Sequence, residues 1–159
     1  MEQSRMNSPM MSLPEVGQSL QALGKALFGS AEKNALPART LFLAYLRVSQ
    51  INGDSVCVDL HSRNALAAGE TAERLLVVSA WRETSNFTDA ERAALALSES
   101  MTRLHDLTDP VPDKVYEEAA HYYDEGALAT LITGIATANL YNRINVTTKQ
   151  RVDVSAARN

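Results

Sequence analysis

The step Asn52-Gly53-Asp54 constrains this chain more than any other feature of its sequence. Before it, Leu41, Leu43, Ala44, Leu46, Val48 and Ile51 spread apolar side chains around nearly every face of a helix that Pro37 opens. Asn-Gly tolerates the left-handed backbone on which helices end. Asp54 carries a side chain suited to accept from the first free N–H groups of the next helix, predicted over 54–68 with Gly69 as its stop. Two helices are thus predicted to meet at a short polar step. The first is apolar all round, so it is expected at the centre of the fold or at a subunit contact.

The same punctuation recurs along the chain. Pro14 precedes Val16, Leu20, Leu23 and Leu27 at helical spacing, with Gly29 as the expected stop. Thr71 is expected to start a helix through Leu75, Leu76, Val78 and Trp81. Thr88-Asp89-Ala90-Glu91 is a capping box for a helix reaching about Leu104. Beyond Pro110 and Pro112, helical patterns cover 113–123 and 126–144. No segment alternates as a strand would. With only 7 Gly and 5 Pro in 159 residues, the prediction is all-α, about seven helices over 13–146. Residues 1–12 are expected as a loose arm, and 147–159 as a polar tail that frays or engages a neighbouring subunit.

Charge and composition exclude several classes of function. A net charge of −4 with scattered Lys and Arg lacks the basic face that nucleic acid requires. No run nears the roughly 20 apolar residues of a membrane span. The opening Met1-Glu2-Gln3-Ser4 lacks a cationic, then apolar, leader, so the expected location is the cytoplasm. One Cys cannot form an intrachain disulfide and fits a reducing compartment. His61, His105 and His121 are too scattered for a metal site, and no glycine-rich phosphate loop occurs. No cofactor is expected.

The chemistry-bearing residues lie on the helix after the step. Asp54, Cys57 and His61, at i, i+3 and i+7, share one face, and Cys57 and His61 are one turn apart. The helix N-terminus and a protonated His61 would lower the thiol pKa, whereas Asp54 would raise it. These influences are of similar order, and spacing leaves the sign open. A lone Cys in a helical domain is most often a small buried hydrophobe, and Asp54 needs no role beyond capping.

The longer string from Leu46-Arg47-Val48-Ser49-Gln50-Ile51-Asn52-Gly53 through His61 resembles the AhpD-like, or carboxymuconolactone decarboxylase, family. Ala68-Gly69-Glu70-Thr71, Ala80-Trp81-Arg82-Glu83, the segment 87–95 and Asn139-Leu140-Tyr141-Asn142-Arg143 continue the likeness. The resemblance implies an all-helical fold assembling into trimers or hexamers. It implies hydroperoxide reduction by a C-x-x-C pair that a dithiol carrier regenerates. Cys57 matches the attacking Cys and His61 the proton-relay His. Asp54 stands where the resolving Cys belongs, and Phe42 stands where the family carries an acid twelve positions before that Cys.

Three functions follow as expectations. The first is a peroxidase-related antioxidant protein of one-Cys type, with Cys57 as nucleophile, His61 as its base and an external thiol as reductant. The second is a decarboxylase-like acid–base enzyme on a small organic acid, with Asp54 and His61 as the working pair and Arg47 or Arg63 as the nearest cations. The third is a non-catalytic homo-oligomer.

Overall fold

The computed structural model describes residues 3–152. Among them every regular element is helical: α1 (Pro9–Ser12), α2 (Pro14–Lys33), α3 (Ala38–Asn52), α4 (Ser55–Ala67), α5 (Ala72–Leu76), a 3-10 helix (Val78–Glu83), α6 (Asp89–Thr102), α7 (Asp113–Tyr122) and α8 (Glu125–Thr148). The all-α expectation holds. The count exceeds seven because α1 is an extra short turn and because the helix expected over 71–81 divides.

That division has a packing cause. The chain leaves α-helical geometry at Val77 (φ −105°, ψ 5°), between α5 and the 3-10 helix, and kinks again inside the latter at Ala80 (φ −115°, ψ 27°); Val78 and Trp81 are buried while Leu76 stays exposed. A second boundary also differs from expectation. Gly29 does not stop α2, because a glycine in an exposed helix interior costs only about 1 kcal/mol relative to alanine. The burial of Leu27 and Ala31 along the same face carries the helix on. It ends at Asn34, followed by Ala35 in left-handed geometry (φ 53°) and then Pro37. α8 likewise runs past 144 to Thr148.

The apolar surface around α3 is explained within the fold. α3 packs against α2, α4, the 3-10 helix, α6 and α8, and eight of its residues, from Thr40 to Ser49, are buried. Leu41, Val48, Leu97, Leu131 and Ile135 form the main core with α6 and α8. Leu43, Leu46, Val78, Trp81, Phe87 and Leu95 form a second cluster on the opposite side of α3. Between them Glu99 of α6 accepts from Arg47 (2.6 Å) and Trp81 Nε1 (3.0 Å), and also from Arg82. These donors hold its carboxyl at about 2, against the opposing pull of burial. The predicted capping box is present, with Thr88 and Glu91 bonded reciprocally.

The segment expected as a loose arm is tied to the far end of the chain. The Arg5 amide donates to the Thr148 carbonyl (2.9 Å), and Gln150 Nε2 donates to the Met6 carbonyl (2.9 Å). The tail expected beyond 147 is described only to 152, and 153–159 lie outside the described residues. No described helix is long and apolar enough to cross a membrane.

Candidate functional site

The Asn52-Gly53-Asp54 step folds as its residues dictate. Gly53 takes the left-handed conformation (φ 69°) that ends α3. Asp54 Oδ1 then accepts from the amides of Val56 (3.0 Å) and Cys57 (3.2 Å) at the start of α4. This is the predicted cap, and it is buried, with Asp54 only 2 % exposed.

Tertiary structure adds partners that spacing on α4 could not indicate. Asp54 Oδ2 accepts from Asn142 Nδ2 (2.9 Å) and Asn145 Nδ2 (3.0 Å), both on α8. Asn142 Nδ2 also donates to Ser49 Oγ (3.1 Å), and its Oδ1 accepts from Asn52 Nδ2 (3.0 Å). Asn145 Nδ2 lies 3.5 Å from Cys57 Sγ. An amide ladder on α8 thereby clamps the α3–α4 junction from the C-terminal end of the chain. The one sequence signal for it was the recurrence of Asn139, Asn142 and Asn145 every third residue, the only side-chain amides on α8.

The sign of the Cys57 shift, open from spacing alone, is upward. Burial pushes the thiol to about 12, with the Asp54 carboxylate adding in the same direction and Asn145 and Asn142 opposing. His61 moves the other way. Burial lowers it to about 4, against the opposing field of Asp54, and its Nδ1 is buried without a hydrogen-bond partner. At neutral pH both groups are uncharged, so the thiolate–imidazolium pair of an activated cysteine is disfavoured from both sides.

Cys57 and His61 line one cavity of about 370 Å³ between α2, α3, α4 and α8. Its walls include Leu27, Phe28, Phe42, Tyr45, Leu60, Ala138 and Tyr141. Phe42, at the position of the family acid, packs against Phe28 (ring centroids 4.9 Å apart). Tyr45, one turn further along α3, packs on the His61 ring (5.2 Å). Asp54 does not line the cavity, and neither does any other Asp, Glu, Lys or Arg among the described residues. Arg47 is committed to Glu99 (2.6 Å) and Arg63 to Asp59 (3.0 Å). Tyr45, Tyr141 and Asn145 were not anticipated from sequence, because they reach the site from α3 and α8. Among the described residues no group of three or more His, Cys, Asp or Glu is placed to hold a metal.

A helical fold that seats a thiol and an imidazole one turn apart at the start of a capped helix, over an apolar cavity, is that of the AhpD-like proteins. The chain belongs to the carboxymuconolactone decarboxylase family, whose model matches residues 14–100. It is 35 % identical over 115 residues to the uncharacterized protein YdfG of Bacillus subtilis (strain 168), covering 72 % of this chain and 77 % of that one. It is 32 % identical over 104 residues to the uncharacterized protein YnjA of Escherichia coli (strain K12), covering 65 % of this chain and 55 % of that one. A solved structure from Agrobacterium tumefaciens is similar over 96 % of this chain and 99 % of its own, with a TM-score of 0.86 and 27 % identity. That protein is described as one of unknown function, assigned provisionally to antioxidant defence as an AhpD.

Proposed function

We propose that this chain is a single-thiol member of the AhpD-like antioxidant group, in which Cys57 reduces hydroperoxides slowly and an external thiol regenerates it. The observation that carries the reading is the shared cavity: Cys57 and His61 both line it, and the described residues hold no other Cys. In the step envisaged, the sulfur of Cys57 attacks the distal peroxide oxygen. The thiol proton is lost before the attack, the O–O bond breaks with transfer of OH to the sulfur, the leaving alkoxide takes up one proton, and the products are a sulfenic acid and an alcohol. Two external thiols then return the sulfenic acid to thiol, giving one disulfide and one water. His61, held neutral, acts as a relay for the proton and not as a store for it. Asp54 positions the start of α4 and cannot resolve the sulfenic acid.

The acid–base alternative on an organic acid finds less support, since the cavity carries no cation to receive a carboxylate. The self-association implied by the family is part of the same proposal, with the exposed Leu104, Leu140 and Val146 as apolar candidates for the contact.

The test is dimedone trapping of Cys57 with mass-spectrometric readout, under limiting organic hydroperoxide, from pH 6 to 10. Because only thiolate attacks, the rate should rise about tenfold per pH unit throughout this range. A rate that levels off near neutral pH would refute the slow-thiol reading. Absence of any sulfenic adduct at pH 10 would remove the peroxide chemistry altogether.

A further inference from the structure

We propose that Asn145 is a further catalytic residue of this site: its side-chain amide, oriented by Asp54, donates a hydrogen bond to the Cys57 sulfur and holds the thiolate that attacks the hydroperoxide. The assignment rests on the reading above for the hydroperoxide step. It adds the group that favours ionisation of a buried sulfur.

Geometry selects the donor. Asn145 is half-buried on α8 and lines the cavity together with Cys57. Its Nδ2 stands 3.0 Å from Asp54 Oδ2 and 3.5 Å from Cys57 Sγ. A carboxylate can only accept, so Asp54 requires the NH2 end of this amide, and not its oxygen, on that side. One N–H then serves Asp54, and the second is left for the sulfur. Asn142 cannot serve instead, because its two N–H groups go to Asp54 Oδ2 (2.9 Å) and Ser49 Oγ (3.1 Å).

The chemistry follows from what the sulfur becomes. When the thiol proton leaves to hydroxide in solvent, water forms and the electron pair left on sulfur carries the charge. An N–H donated to that charge is stronger than one donated to a neutral thiol, so the bond favours thiolate over thiol. It works against burial and the Asp54 carboxylate, which favour the thiol. The position of the family's resolving Cys therefore has a use in this chain. Asp54 forms no disulfide, but it fixes which end of Asn145 meets the sulfur.

The experiment compares the full chain with Asn145→Ala and Asn145→Leu, which both delete the donor while one opens space beside the sulfur and the other fills it. Asp54 keeps Val56, Cys57 and Asn142 as donors in both, so circular dichroism should show the helical fold intact. If one variant fails to fold, the other carries the comparison. Each chain is alkylated with iodoacetamide between about pH 7 and 10, where thiolate is the reacting form. The S–C bond formed at Cys57 as iodide leaves is counted by mass spectrometry. Both variants should react about tenfold more slowly than the parent at every pH, the low end for a hydrogen bond to a charged acceptor because sulfur accepts weakly. Their rise with pH should match the parent's, since a thiol moved upward from about 12 still ionises above this range. A folded variant that reacts as fast as the parent, or faster, overturns the assignment, because bulk or local opening would then govern the sulfur. So does a variant whose rate levels off within the range, which would mean that losing the amide made the thiol more acidic. An unreactive parent overturns it as well. Iodoacetamide carries no peroxide, so slow variants of a reactive parent would uphold the amide–sulfur bond even if hydroperoxides gave no sulfenic adduct.

Discussion

Asp54→Asn is the sharpest probe of the α3–α4 junction, because one carboxylate there serves two roles. The substituted amide would retain an oxygen for the backbone N–H groups of Val56 and Cys57, so the cap survives. Its NH2 group would instead face Asn142 Nδ2 and Asn145 Nδ2, setting donors against donors. Asn142 cannot turn its amide over without releasing Asn52 and Ser49. Two buried N–H groups therefore lose acceptors at about 1–3 kcal/mol each, a loss of about 2–6 kcal/mol. For a chain of this size, at about 2–4 °C per kcal/mol, that lowers Tm by about 4–24 °C. The thiol should respond too. Asp54 contributes two of the causes that raise Cys57, but burial, the largest, remains. The thiolate absorbance of Asp54→Asn should therefore titrate below about 12 yet above the ordinary 9.0. Urea unfolding and thiolate absorbance measure the two effects separately. A variant within about 0.5 kcal/mol of the parent, the size of an ordinary surface change, would refute the clamp, and an unmoved thiol titration would refute the electrostatic assignment.

Acid should destabilise the fold through His61. Its pKa is lowered from 6.5 to about 4 in the folded chain, so the unfolded state binds the proton more readily. The stability it contributes above pH 6.5 is lost as pH falls through about 4, a change of about 3 kcal/mol. His61→Phe keeps a ring against Tyr45 and should flatten urea-unfolding stability between pH 6.5 and 4.5, above the range in which Glu99 takes up its proton; an unchanged slope would show that other groups carry it. Gly134→Ala should cost about 1–3 kcal/mol by driving a methyl into the Tyr45 hydroxyl. Tyr45→Phe in that background should recover part of the loss in thermal unfolding, and an equally unstable double variant would place the strain elsewhere.

The elements and their punctuation were legible in the chain before any packing was known. Helical periodicity, the Thr88–Glu91 capping box, the Gly53 stop and the Asp54 cap act within a few residues, and backbone hydrogen bonding makes such signals decisive locally. The candidate pair Cys57 and His61 was legible for the same reason: one helical turn brings them to one face, and a family likeness marked the string that contains them. Boundaries set by packing were not legible. α2 runs through Gly29 because Leu27 and Ala31 are buried together, and the helix expected over 71–81 breaks so that Val78 and Trp81 can both be buried.

The character of the site came from long-range packing. Asn142 and Asn145 meet Asp54 from about ninety residues away in sequence, and Tyr45 of α3 meets His61 of α4. Desolvation depends on everything that surrounds a group, so it has no signature in local spacing. It dominates both titrations here, raising the thiol and lowering the imidazole. The residues of the candidate pair were written along α4; the packing of α3 and α8 against it holds both of them neutral.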